Sequence, residues 1–213
     1  MVIDDIRVNG VVPDGFVSLI LGTNRGDVTC QYYHTPGEKK AVIFVGSNIG
    51  GFDSPGNNLY PKLCESLQEQ NISSLRIQYR FPEDLVEGAL DVLAGITFLE
   101  RFGIKDIGLI GHGFGGAVVL QAAAAATDIV RTVTTLATQV EGTDSVSLLQ
   151  DVSVLLIHGT DDSILPIYSS EYVHDIVPGR KQLLLVDGAD HNFDHAAWNI
   201  HNIVETWMIE NLR

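Results

Sequence analysis

The residues whose chemistry could serve a reaction fall in a few short stretches. Two are glycine-rich turns, Gly46-Ser47-Asn48-Ile49-Gly50-Gly51 and Gly111-His112-Gly113-Phe114-Gly115-Gly116. Such turns leave backbone N–H groups free to hold a carbonyl, a carboxylate or an oxyanion. A third is Gly159-Thr160-Asp161-Asp162. The last gathers Asp187, Asp190, His191, Asp194 and His195. Carboxylates and imidazoles move protons, and they also ligate hard or borderline metals. His191 and His195 would share a face on a helix, but no spacing of a known zinc motif is present, and neither a metal nor another cofactor is expected. The second turn also satisfies the Gly-x-Gly-x-x-Gly pattern of dinucleotide binding. It follows a strand deep in the chain, and no strand end falls near Asp128, where the acidic partner about 20 residues on would be needed, so that reading is set aside.

Six short apolar runs would position these turns: Ala41–Gly46, Ser74–Tyr79, Asp106–Ile110, Val130–Leu136, Val154–His158 and Gln182–Val186. They are continuous rather than alternating, as strands buried on both faces are. Helical spacing separates them over Asn57–Gln70, Glu83–Phe102, Gly113–Ala126, Pro166–Val177 and His195–Leu212. The third of these is small and apolar nearly all round, which predicts a central buried helix. Near the N-terminus, Phe16–Leu21 and Val28–Tyr33 flank Gly22-Thr23-Asn24-Arg25-Gly26 and predict a hairpin. The pattern is that of a doubly wound, mainly parallel sheet with an antiparallel N-terminal edge, in a single domain over 1–213. Asp162 and His191 then lie just past the C-terminal ends of strands, where open α/β sheets carry their sites. Thr138–Asp151 is the one longer irregular segment in the second half and is too short for a substantial lid.

The stretch Gly108-Leu109-Ile110-Gly111-His112-Gly113-Phe114-Gly115-Gly116 resembles the nucleophile elbow, Gly-x-Ser-x-Gly, of the α/β-hydrolase superfamily. Gly111 and Gly115 match the flanking glycines, and Gly113 stands where that family keeps serine. Leu155 to Pro166 is similar to the strand and loop that carry the family's catalytic acid, with Asp162 in its place. Asp187 to Phe193 is similar to the histidine loop, with His191 in its place. The order 113, 162, 191 is the family's order. The loop Phe44–Gly51 resembles the one that supplies an oxyanion N–H, from Ser47 or Asn48, and the second N–H would come from Phe114.

The resemblance extends over about residues 16–212 and implies a three-layer α/β-hydrolase fold of the small, capless, dienelactone-hydrolase or esterase type. It implies esters, thioesters or related acyl compounds as the ancestral substrates. An acyl-enzyme needs a side-chain nucleophile, and Gly113 has none. The expected reading is therefore a triad reduced to Gly113-Asp162-His191, weak or non-catalytic, binding a small acyl or anionic ligand. Two alternatives stay open. His191 and Asp162 could activate water or a substrate proton in a hydrolase or lyase, or the chain is a serine hydrolase whose nucleophile was mutated. Ser47 lies on the wrong loop to replace the serine, and His112 is expected to turn away from the site.

With 27 Asp and Glu against 13 Lys and Arg, the chain carries a formal charge of −14. That surface repels phosphate backbones and anionic headgroups, which argues against nucleic acid or membrane surfaces as partners. Cys30 and Cys64 form no CxxC and read as reduced thiols, and no signal-like N-terminus is visible. A cytoplasmic location is expected. No sequence feature marks an oligomeric state.

Overall fold

The apolar runs become strands that feed two cores at once. The computed structural model describes residues 1–11 and 15–212; residues 12–14 and 213 of the expected 1–213 domain lie outside the described residues. In chain order the elements are β1 (Ile3–Val11), β2 (Val17–Thr23), β3 (Gly26–Tyr33), β4 (Lys40–Val45), α1 (Pro55–Glu69), β5 (Ser73–Gln78), α2 (Leu85–Arg101), β6 (Asp106–His112), α3 (Phe114–Ala124), β7 (Val130–Leu136), β8 (Ser153–Gly159), α4 (Tyr168–Ile176), β9 (Lys181–Val186) and α5 (Ala197–Asn211). Along β4, Ala41, Ile43 and Val45 enter one core while Val42 and Phe44 enter the other. Along β8, Val154 and Leu156 alternate with Leu155 and Ile157 in the same way. Side chains on a strand point to opposite faces in turn, so a strand covered on both sides must be apolar throughout. Helices α2, α3 and α4 close the first core through residues such as Val92, Val118 and Val173. Helices α1 and α5 close the second through Leu59 and Ile200.

The sheet has nine strands in the order β1-β2-β3-β5-β4-β6-β7-β8-β9. Pairings from β4 and β5 through β9 are parallel, and β1–β2, β2–β3 and β3–β5 are antiparallel. The three layers, the parallel centre, the antiparallel N-terminal edge and the absence of a large cap are as expected. The predicted hairpin pairs Leu19 with Cys30 and Leu21 with Val28. Strand β1 was not foreseen. Its register shifts between Ile3 and Asp5 and again between Val8 and Gly10, and such bulges destroy the alternation that marks a half-buried strand.

The chain leaves β4 toward β5 on one side and returns to β6 on the other. The loops after β4 and β6 therefore part at this reversal, opening a crevice over the strands' C-terminal ends. Helix boundaries differ in small ways from the apolar pattern. Helix α1 opens at Pro55, but Gly56, Asn57 and Asn58 have φ of 60°, 51° and 64°, so its right-handed turns begin only after them. Helix α2 is capped by the Asp84 carboxylate, which accepts the Glu87 N–H at 3.0 Å. Helix α5 follows a 3₁₀ turn at Asp194–Ala196. Thr138–Asp151 contains a second such turn, Asp144–Leu148. No helix among the described residues is long and apolar enough to cross a membrane.

Candidate functional site

The turn from β6 into α3 is held by backbone bonds: the Gly113 N–H donates to Leu136 O at 2.9 Å, and Gly113 O accepts from Gly116 N at 3.1 Å. Gly113 has φ 55° and ψ −115°, a conformation that an L side chain adopts only under strain. Its neighbours are crowded as the sequence implied. A Cβ on Gly111 would lie 2.1 Å from Gly115 O, and one on Gly115 would lie 2.1 Å from Gly46 O. The nearest atoms that a Cβ on Gly113 would meet belong to side chains: His191 Nε2 at 3.3 Å, His191 Cε1 at 3.6 Å and Ser47 Cβ at 3.9 Å. Residue 113 thus looks directly at the imidazole.

His191 Nδ1 is 2.7 Å from Asp162 Oδ2. Because the carboxylate accepts, Nδ1 carries the proton, and the lone pair of Nε2 faces residue 113. Asp162 follows β8, and its side chain is fully buried. Its Oδ1 accepts the N–H groups of Ile164 at 2.8 Å and Leu165 at 2.9 Å. Burial raises the pKa of this carboxyl, but the Leu165 N–H, the His191 imidazole and the Ile164 N–H more than offset it. The group is held below the ordinary carboxylate range, so it stays ionised beside His191.

Two further histidines complete the surroundings, and neither was assigned a place at the site by its sequence context. His158, at the end of β8, is buried and sits 3.2 Å from Asp162 Oδ2. Its Nε2 is also 3.0 Å from Leu165 O. Two acceptors around Nε2 require that it carry the proton, leaving Nδ1 to accept from Ser170 Oγ at 2.7 Å. His112 does not turn away from the site, as the elbow alone suggested. Its ring lies 4.6 Å from that of His191, and its Nε2 donates to His191 O at 3.0 Å. Burial pushes the His112 imidazole down to about 4, and the neighbouring His191 acts in the same direction.

The loop after β4 differs from a ready oxyanion hole. The Ser47 N–H and hydroxyl both donate to Asp53 Oδ2, each at 2.8 Å. The Asp53 carboxylate fits because residue 46 is glycine, where a Cβ would fall 1.8 Å from Asp53 Oδ1. Of the two expected donors on this loop, the Ser47 N–H is therefore taken. Asn48 is exposed. Phe114 opens α3, where an N–H has no acceptor inside the helix. Asp53 itself stands outside every recognisable motif, and the two Ser47 hydrogen bonds together with the space left at Gly46 bring it to the site.

The segment that carries His191 is fastened to α1. Gly56 N–H donates to Asn192 O at 2.7 Å. The Asn57 N–H donates to Asp194 Oδ1 at 3.2 Å, and its side-chain amide to Asp194 O at 2.9 Å. Among the described residues no three His, Cys, Asp or Glu side chains gather in a way that could hold a metal ion, so the five acidic and histidine residues of 187–195 do not converge as a ligand set.

No protein-family description matches the sequence, and no curated protein does. Solved structures do match in shape. A dienelactone hydrolase from Anabaena variabilis is 18% identical, with 93% of this chain and 98% of that one covered at a TM-score of 0.80. Est1E from Butyrivibrio proteoclasticus is 16% identical, covering 91% of this chain and 98% of its own at 0.78. An alpha-beta serine hydrolase homologue from Coxiella burnetii is 17% identical, covering 92% and 97% at 0.73. The chain has the α/β-hydrolase fold, and its structural neighbours are esterases and other hydrolases of that fold.

Proposed function

We propose that this chain descends from acyl hydrolases, that Gly113 occupies the position of their nucleophile, and that the protein is a weak or non-catalytic binder of a small ligand beside His191. The observation that carries this reading is the 3.3 Å between a Cβ built on Gly113 and His191 Nε2. A hydroxyl one bond farther out would stand within hydrogen-bonding reach of that nitrogen. Asp162, His191 and the positive φ of Gly113 would supply the orientation, the base and the turn that the acyl-enzyme route requires, while the attacking atom is missing and the Ser47 oxyanion N–H is engaged by Asp53. What remains of such a site after a triad member is lost is about 10³–10⁴-fold over water, from binding and oxyanion contacts. With the Ser47 N–H engaged by Asp53, the lower end of that range is expected here.

A second reading has its own support. The Nε2 lone pair faces a space that glycine leaves free, and a water there would meet an imidazole already oriented by a buried carboxylate. Hydrolysis of p-nitrophenyl esters by the wild type and by His191→Gln separates the two. The binding reading expects equal, weak rates in both proteins, with no dependence on a histidine ionisation across pH 5–9. A rate that rises along a single ionisation and disappears in His191→Gln would replace it with water activation.

A further inference from the structure

The two edges of the sheet are built differently. At one edge, β1 carries two register shifts and the exposed charges Asp4, Asp5 and Arg7. Bulges and charges of this kind keep an edge strand from pairing with another chain. At the other edge, β9 pairs with β8 in unbroken register from Lys181 to Val186, and no further strand among the described residues lies beyond it. Val154–Gly159 of β8 are all buried, whereas none of the six residues of β9 is, and Leu185 stands 41% exposed.

The hydrogen bonds to β8 show which backbone groups of β9 are left over. The Val154 N–H donates to Arg180 O, and the Thr160 N–H donates to Val186 O. In a parallel pair with this register, the even-numbered residues from 180 to 186 turn their backbone groups to β8. The N–H and C=O of Lys181, Leu183 and Leu185 therefore face outward. The side chains of Leu184 and Val186 pack toward α1 and α5, and that of Leu183 toward the opposite core.

We infer that β9 pairs with the same strand of a second copy of this chain, antiparallel, about a two-fold axis at Leu184. Outward-facing residues must meet outward-facing residues, so Leu183 can stand opposite residue 181, 183 or 185 of the partner. The first two registers put Lys181 opposite a leucine. The third puts Lys181 opposite the partner's Asp187, Leu183 opposite the partner's Leu185 and Leu184 opposite the partner's Leu184. Opposite charges directly across a strand pair stabilise it, and the exposed Leu185 is covered. Asp187 is exposed and follows the strand directly. Lys181 Nζ donates to Val177 O at 2.9 Å and Asp175 O at 3.3 Å, which leaves one N–H for a carboxylate. Two chains of charge −14 repel each other, and a strand pair of this length belongs with interfaces below about 1,200 Å², so the association is weak and reversible. It is independent of what the site beside Gly113 does.

Sedimentation equilibrium and amide hydrogen exchange by NMR test this on the full chain, from about 10 µM to about 1 mM and at about 0.15 M salt, where distant charges are screened. The dimer fraction is expected to rise with concentration, and the Leu183 and Leu185 amides to exchange at least tenfold more slowly at the upper end, while those of Gln182 and Leu184 change little. Leu185→Pro removes one outward N–H and no bond to β8, and is expected to weaken association at least tenfold. Asp187→Lys, which sets lysine against lysine, is expected to weaken it at least threefold. A chain that stays monomeric throughout, or that dimerises with the Leu183 and Leu185 amides unslowed, would overturn the inference. An Asp187→Lys protein that associates as tightly as the wild type would overturn the register. The exchange pattern of the wild type decides the matter even if Leu185→Pro folds poorly.

Discussion

His112 is an imidazole that has given up its charge to be buried. Its folded-state pKa is about 4, whereas an unfolded chain holds histidine near ~6.5. The unfolded state therefore binds the proton first as pH falls. The stability that neutral His112 represents is complete above about pH 6.5 and is lost as pH drops toward 4, by roughly 3 kcal/mol at the end of that window. Urea melts of the wild type and His112→Gln across this range check it: the wild type should lose more stability than the variant, and parallel curves would show that His112 is not held neutral. Asp162 has the same sign for a different reason. Its pKa is depressed, so its contribution is present above the ordinary carboxylate range and fades only below it.

At the scale of elements, the site depends on how the histidine loop is tied to the start of α1. Asn57 sits at φ 51°, donates its N–H to Asp194 Oδ1 and gives its side-chain amide to Asp194 O. Asn57→Gly keeps the backbone geometry and one of these bonds. Asn57→Ala loses the amide bond and also strains the turn, since alanine resists positive φ. We expect Asn57→Ala to cost about 1–2 kcal/mol in chemical denaturation and Asn57→Gly measurably less; the reverse order would mean the turn is not what holds the loop. This contact was beyond the reach of sequence, because it joins residues far apart in the chain and rests on a left-handed turn inside what periodicity presents as plain helix. The parallel strands were legible because burial on both faces forces unbroken apolar runs. The glycine-rich turn after β6 was legible because tight turns restrict residue choice, and the meeting of Asp162 with His191 was anticipated from the resemblance of their two loops. Asp53, His158 and the inward lie of His112 were not, since each owes its place to tertiary neighbours: the gap at Gly46, the Leu165 carbonyl and the His191 carbonyl. Strand β1 was hidden by bulges that interrupt its alternation.

At the scale of the whole molecule, residues 113, 162 and 191 come from the ends of β6, β8 and β9, and only the shared C-terminal edge of the sheet brings them together. The fold does this while placing a carboxylate on the Ser47 N–H and a glycine at residue 113. His191 Nε2 thus faces a position with no side chain.

The most direct measurement is covalent labelling of Gly113→Ser by a fluorophosphonate, followed by intact mass and peptide mapping. Introducing a side chain at φ 55° costs about 1–3 kcal/mol, so the folded state of the variant is checked first by its thermal melt. The account predicts a single adduct on residue 113, absent from the wild type and abolished by adding His191→Gln. A folded Gly113→Ser protein that takes no label, or that labels equally well without His191, would contradict it.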